Sequence, residues 1–257
     1  MVSNIDPVYF LTPTVVIGFS LAFILYWRVR GRLTGSVLLT SFFAYFSAIA
    51  IKELIQYFAL SDVTKASDAN PVVMGVYYGS QTVVFEVGLA YLVAWWATKR
   101  KALKVEYAQG YGLSLGFWED AVLVAIPLLL DYTVYYVTLS GSGSTSQTLF
   151  GLLHSRAPEL FYPAKKALPL VALSILERVS SFISHFSWGY LCVLAAVFKK
   201  RRYLWAALPM GFVDFLVPFA DTLGVLHFEL LIFLLAALSF FVSQVITRGS
   251  NGPSLSQ

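Results

Sequence analysis

The sequence predicts an all-α fold, a polytopic transmembrane helix bundle of about seven spans with its N-terminus outside and its C-terminus in the cytosol. Three observations lead to this prediction. The mean hydropathy is +0.72 and 12% of residues are charged, whereas a soluble domain usually carries about 25%. Apolar runs of roughly twenty residues follow one another along the chain. Basic residues are concentrated in alternate loops. Much of the surface must therefore face lipid.

The predicted spans are separated by short polar connections. They cover residues 9–27, 36–60, 72–96, 110–139, 168–198, 203–220 and 223–246. No basic segment precedes the first span, which indicates a retained span and not a cleaved signal peptide. The fourth and fifth spans exceed the usual length, so each either tilts or includes a short interfacial turn.

The basic residues orient the chain. Twelve Lys and Arg residues lie after spans one, three, five and seven, and four lie in the other loops. Under the positive-inside rule, the loops with twelve are cytosolic. We therefore expect a multi-pass protein of the cell membrane, with one domain over residues 1–248, an outer loop at 140–166 and a flexible tail at 249–257.

The single cysteine, Cys192, excludes an intramolecular disulfide and a zinc site built on cysteine pairs. The composition gives no signal for nucleic acid. The lipid bilayer is the expected partner, and another membrane protein or a transmembrane client is a further candidate.

Ionisable residues within the predicted spans are the strongest functional signal, because a charge at the bilayer centre costs several kcal/mol or more. They include Lys52, Glu53, Glu86, Glu119, Asp120, Glu177, Arg178, His185 and Asp214. Four carboxylates on different spans lie roughly ten to fourteen residues from a span end, at a similar depth. They predict a polar chamber inside the bundle. The alternative is a set of structural ion pairs that lock the helices together.

His185 lies seven residues after Arg178, about two helical turns, so the two share a face with Ser181 between them. A histidine at this depth can be a metal ligand, a proton carrier or a core residue with satisfied hydrogen bonds. Ser181, Ser184 and Ser187 are expected to serve close helix packing.

Glu177-Arg178, His185, the basic loop 199–202 and the segment from Met210 to Asp214 resemble the YhfC family of intramembrane metalloproteases, distant relatives of the CAAX prenyl proteases. That family has Glu-Arg, a His seven positions after the Arg, a basic loop and then His-x-x-x-Asp. Residues 85–91 are similar to its Phe-Glu-Glu-Gly-Gly-Arg-Tyr motif, and residues 114–121 to its Gly-Leu-Gly-His-Gly-Gly-x-Glu-Ala motif. The resemblance extends over nearly the whole chain.

By this resemblance, the family's site residues correspond to Glu86, Glu177, Arg178, His185 and Asp214. A further one corresponds to either Glu119 or Asp120.

Other family positions differ. The family's second Glu and its Arg on the third span are Val87 and Ala90 here, and its His on the sixth span is Met210. Its His on the fourth span is Phe117 or Gly116. One histidine with scattered carboxylates is a poor zinc site. We therefore expect a relative degenerate at its metal ligands, with no tightly bound zinc and no peptidase activity.

Three functions stay open. The first is a non-catalytic binding or assembly component that retains the polar chamber. The second is an active hydrolase with an atypical site, in which Glu86, Glu119, Glu177 and His185 are catalytic and His185 can also ligate zinc. The third is a conduit or transport component lined by the buried Glu, Asp and Arg residues. A stable partner would favour the first function, bound zinc the second and conductance the third.

Overall fold

The computed structural model describes residues 4–66 and 70–248, which are almost entirely helical. The helices are α1 (Leu11–Val29), α2 (Gly35–Ala66), α3 (Pro71–Gln81), α4 (Gly88–Lys99), α5 (Ala108–Gly116), α6 (Ile126–Leu139), α7 (Ser144–Arg156), α8 (Ala164–Phe198), α9 (Arg201–Ala207), α10 (Ala220–Leu223) and α11 (Val225–Arg248). The predicted all-α class is confirmed. The predicted tail, 249–257, lies outside the described residues.

Three longer segments depart from α-helical geometry without ending the helical path. A π-helix, Thr82–Val87, joins α3 to α4, and a second π-helix, Phe117–Ala125, joins α5 to α6. A 3₁₀-helix, Leu208–Phe219, joins α9 to α10. Because π-helical turns are rare and frequently occur at functional sites, these segments direct attention to the side chains that they carry.

Six helices of the described residues are long and apolar enough to cross a membrane. They are Pro7–Val29, Gly35–Lys65, Val105–Leu139, Ala164–Phe198, Arg201–Leu223 and Val225–Arg248. Each corresponds to a predicted span. The predicted span 72–96 is helical through α3, the first π-helix and α4, but it is not among the six. The protein is thus a multi-pass membrane protein, and the count of seven and the orientation stay predictions.

The predicted outer loop, 140–166, contains α7 and a 3₁₀ turn, Pro158–Phe161. Leu153 and Leu160 are buried in a small cluster with Tyr9 and Leu139, whereas Leu152 and Tyr162 are exposed. The Asp6 amide also donates to the Leu160 carbonyl at 3.1 Å. This loop therefore packs onto the ends of α1 and α6.

The longest helix, α8, lies at the centre of the bundle and packs closely against α5. A Cβ atom at Gly189 would lie 2.6 Å from the Cα atom of Gly112 and 2.7 Å from Leu115 Cδ1. Small residues allow such close backbone approach between membrane helices. Trp188 and Leu191, on the same helix, are fully buried. The packing fixes α8 so that its Arg178 and His185 face the interior.

Candidate functional site

A cavity of about 210 Å³ lies within the bundle, between α2, the two π-helices, α8, the 3₁₀-helix and α11. We call it the polar chamber. Its charged and imidazole side chains are Lys52, Glu86, Glu119, Glu177, Arg178, His185 and Asp214. Asp120 contacts it through Arg178, whereas Glu53 is exposed and is not in the lining. The helices thus bring eight of the nine predicted site residues together.

One side of the polar chamber is organised by Lys52, which extends from α2. Its Nζ atom donates to Glu86 Oε1, and to Thr82 Oγ1 at 3.0 Å. It also lies 3.6 Å from Asp214 Oδ2. The Thr82 hydroxyl donates to the same Asp214 oxygen. Lys52 and Thr82 therefore join α2, the first π-helix and the 3₁₀-helix.

The other side is organised by Arg178 on α8. Its guanidinium pairs with Glu177, lies 3.3 Å from Asp120 Oδ1 and lies 3.8 Å from Glu119 Oε1. Asp120 has no exposed surface, and its second oxygen, Oδ2, has no hydrogen-bond partner among the described residues. This guanidinium therefore supplies the counter-charge for carboxylates of the second π-helix.

His185 connects the two sides. Its Nδ1 atom lies 2.9 Å from the Ser181 carbonyl oxygen. A carbonyl oxygen only accepts hydrogen bonds, so Nδ1 carries the proton. Nε2 then faces Glu119 Oε2 at 2.7 Å and Glu86 Oε2 at 3.3 Å. Three electron-pair donors converge at this point, and a proton or a metal ion must lie between them.

The converging atoms have the chemistry of a metal site. Glu86, Glu119 and His185 each offer one ligand atom, and the three atoms lie within 4.8 Å of one another. Catalytic zinc sites commonly use three protein ligands and leave a position for water or substrate. An imidazole nitrogen with two carboxylate oxygens also suits other divalent first-row metals. The residues present therefore fit a divalent metal ion.

The outer contacts of these three residues have the arrangement expected around a metal. Glu86 uses Oε1 for Lys52 and turns Oε2 toward His185. Glu119 accepts from the Ser181 hydroxyl at Oε1, at 3.1 Å, and also turns Oε2 toward His185. Metal-bound histidines commonly donate their other ring N–H to a carbonyl or carboxylate. Each potential ligand is thus oriented by a contact that leaves its converging atom available.

Charge in the polar chamber is unbalanced without an added cation. Two side chains carry a fixed positive charge, Lys52 and Arg178, and both contact more than one carboxylate. The carboxylates that they contact are Glu86, Glu119, Asp120, Glu177 and Asp214. Uncompensated buried charge is strongly unfavourable. Glu177 and Asp214 are partly exposed, so protons or a metal dication are needed chiefly beside the more buried Glu86, Glu119 and Asp120.

Two residues of the site were not predicted to have this role. Thr82 is buried and lies four residues before Glu86, on the same helical face, a spacing that could have identified it. Ser181 was expected to serve helix packing, but its hydroxyl holds Glu119. Hydroxyl residues are common in membrane helices, so their presence alone does not indicate a site.

Three of the positions at which the sequence departs from the family motifs lie in the apolar core. Val87, Ala90 and Met210 are all buried, and they belong to one hydrophobic cluster. Val87 also packs on Gly211, where a Cβ atom would lie 2.7 Å from Val87 Cγ2. Apolar packing therefore replaces the polar groups that the resemblance would place here.

The family model described as YhfC intramembrane metalloprotease matches residues 14–236. No curated protein and no solved structure matches the chain.

Proposed function

This chain belongs to the YhfC intramembrane metalloprotease family, and from that premise we propose that it binds one divalent metal ion and hydrolyses a substrate within the membrane. Glu86, Glu119 and His185 would hold the ion. The observation that carries the proposal is the convergence of His185 Nε2 with one oxygen of each carboxylate, at 2.7 and 3.3 Å. A metal bound in this way would supply Lewis acidity and lower the pKa of a bound water.

The surrounding residues hold the ligands in place. Two groups of Ser181 contact the potential ligands. Its carbonyl fixes the His185 tautomer, and its hydroxyl orients Glu119. Lys52 holds Glu86 through Oε1. Such outer contacts commonly change metal affinity by about 10- to 100-fold when removed. Arg178 offsets the charge of Asp120 beside the site.

Asp214 would accept a proton from the attacking water. It lines the polar chamber, and it is not one of the three converging groups. Thr82 and Lys52 both contact its Oδ2 atom, which leaves Oδ1 to accept the proton. Its side chain is 34% exposed, whereas Glu86 is 7% exposed.

Metal content of the purified protein tests the proposal. We expect about one zinc or other divalent ion per chain in the parent protein, and loss of that ion in Glu86→Gln, Glu119→Gln and His185→Ala. Glu53→Gln is the matched control, because Glu53 is an exposed acid one residue from Lys52. A parent protein that takes up no stoichiometric metal would overturn the proposal and support the sequence-based expectation of no bound zinc.

Fluorescence gives a second readout that does not depend on a known substrate. The Trp188 ring lies 4.2 Å from the His185 ring, measured between centroids. Metal binding at His185 is expected to change Trp188 emission, and Trp188→Phe should remove that change.

A second candidate function is a non-catalytic binding or assembly component. The burial of Val87, Ala90 and Met210 in apolar packing favours it. Tyr111 also donates to the Ala90 carbonyl at 2.8 Å, which integrates this position into the core. A stable membrane partner together with absence of metal and of peptide cleavage would favour this function. Bound metal with cleavage abolished in Glu119→Gln would exclude it.

A further inference from the structure

We propose that a groove on the outside of the bundle binds one acyl chain of an anionic phospholipid, with the lipid headgroup at Arg32. The groove has a volume of about 550 Å³ and lies between α1, α5, α8 and α11. It is separate from the polar chamber and has no lining residue in common with it. We call it the aromatic groove, after its five phenylalanines, which are Phe19, Phe23, Phe182, Phe186 and Phe240.

The walls of the aromatic groove are formed by packed aromatic rings. Phe19 and Phe23 of α1 both pack on Phe182 of α8, with ring centroids 5.4 and 5.7 Å apart. Phe240 of α11 packs against Phe186 of α8 at 5.9 Å. Phe23 and Phe240 are 47% and 44% exposed, one on each side. An apolar recess at membrane depth excludes water, so a hydrocarbon occupant is favoured.

An acyl chain suits this recess better than a helix does. Closely packed membrane helices meet through small residues such as Gly, Ala and Ser, whereas the aromatic groove presents large rings. A helix about 10 Å wide would place only roughly five residues in this volume. An unwound peptide would need hydrogen-bond partners for its backbone, but the apolar walls offer none along most of their length. A single hydrocarbon chain requires neither small residues nor donors.

Polar side chains lie at one end of the aromatic groove, which we call its mouth. They are Trp27, Gln109 and Gln244, near the end of α1, the start of α5 and the end of α11. Arg32 is exposed beside them. Its Nη1 atom donates to Gln109 Oε1 at 3.0 Å, and its guanidinium lies 5.4 Å from the Trp27 ring centroid. Two lining residues therefore fix a guanidinium at the mouth.

Charge at the mouth selects an anionic headgroup. A guanidinium has five N–H donors in a planar arrangement that matches phosphate oxygens, and the bond to Gln109 uses one of them. Arg28 and Arg248 lie near the same ends of α1 and α11. Basic pockets between membrane helices on the cytosolic side are typical sites for anionic headgroups. The predicted orientation places the mouth on that side.

Native mass spectrometry with defined lipids tests the site. The delipidated protein is incubated with phosphatidylglycerol or phosphatidylcholine of identical chain length, and retained lipid is counted. We expect the parent protein to retain phosphatidylglycerol at least about tenfold more than phosphatidylcholine, as for one charge-assisted contact. Arg32→Ala should remove this preference. Arg30→Ala is the matched control, because Arg30 stacks on the Tyr26 ring at 4.6 Å and is outside the lining.

A second variant fills the aromatic groove without altering its charge. Val179→Phe places a ring among the lining residues, and it should reduce retention of both lipids about tenfold. Val245→Phe, at a position 50% exposed on α11 and outside the lining, is the control and should retain lipid as the parent does. The proposal is overturned if both lipids are retained equally by the parent protein, if Arg32→Ala keeps the preference, or if a membrane protein is found in the groove.

Discussion

The face of α8 that packs on α5 differs from the face that lines the polar chamber in both chemistry and geometry. On the first face, Gly189 lies against Gly112 of the regular helix α5, with no space for an added Cβ atom. On the second, Arg178 and His185 contact carboxylates of the two π-helices. The close backbone contact joins two regular helices, whereas the chamber joins side chains of α8 to side chains of irregular segments.

This difference indicates how an apolar bundle accommodates so many ionisable groups. Glu86 lies on one π-helix and Glu119 on the other, and Asp214 lies on the 3₁₀-helix. After a change of helical pitch, the side chains point in different directions from those that they would have in a continuous α-helix. The regular contact between α5 and α8 fixes the position of α8 in the bundle. The irregular segments turn their carboxylates toward the polar chamber. Substitutions at the helix contact and in the polar chamber should therefore have separable effects.

Removing the guanidinium should have the largest effect. Arg178→Ala leaves Asp120 and Glu119 buried without their shared counter-charge, and we expect the free energy of unfolding to fall by about 3–5 kcal/mol. Unfolding in a fixed detergent, followed by fluorescence of the six tryptophans, measures the change. Arg178→Lys retains a charge and should lose less. Equal stability of Arg178→Ala and the parent protein would show that the chamber charges are not interdependent.

An added methyl group at the helix contact should have the next largest effect. In Gly112→Ala, the new Cβ atom would clash with the Phe186 carbonyl oxygen and lie 2.8 Å from the Tyr190 nitrogen. Because both are backbone atoms, the helices must separate, at a cost of about 1–3 kcal/mol. Gly18→Ala is the control, since a Cβ atom there has nothing within 4 Å. Both variants should bind metal when folded. That result would show that the helix contact affects stability without affecting metal binding in the polar chamber.

Removing the Thr82 hydroxyl should have a smaller effect on stability. Thr82→Val keeps the shape of the side chain but removes a partner of Lys52 and Asp214. Because Lys52 retains Glu86, we expect the variant to lose only the net contribution of a hydrogen bond, about 0.5–1.5 kcal/mol. Thermal unfolding measures the loss, and Thr82→Ser, which keeps the hydroxyl, should recover most of it. If Thr82→Ser and Thr82→Val are equally unstable, the hydroxyl has no role in the chamber.

Replacing Glu53, the exposed acid of α2, should have the smallest effect on stability. Glu53→Gln is expected to change the free energy of unfolding by no more than about 0.5 kcal/mol, as for most surface substitutions. The same unfolding measurement applies. A large loss of stability in Glu53→Gln would show that Glu53 contributes to the polar chamber and is not simply an exposed residue.

The fold class and most of the membrane spans could be predicted from the hydropathy of the chain. Six predicted spans correspond to helices long and apolar enough to cross a bilayer. The requirement is local, since about twenty consecutive apolar residues must satisfy their backbone hydrogen bonds within the segment. The same reasoning identified Glu86, Arg178 and His185 as candidates, because an ionisable residue within such a run needs a partner.

Which of these residues contact one another could not be predicted, because it depends on how the helices pack. Glu119 and Asp120 are neighbours in the chain, yet Glu119 faces His185 while Asp120 contacts Arg178. Lys52 reaches Glu86, whereas Glu53 beside it is exposed. A one-residue step turns a helical side chain by about 100°, so small changes in helix rotation or pitch exchange one partner for another. Those rotations follow from contacts between distant segments, such as Gly112 with Gly189, which the local hydropathy pattern does not specify.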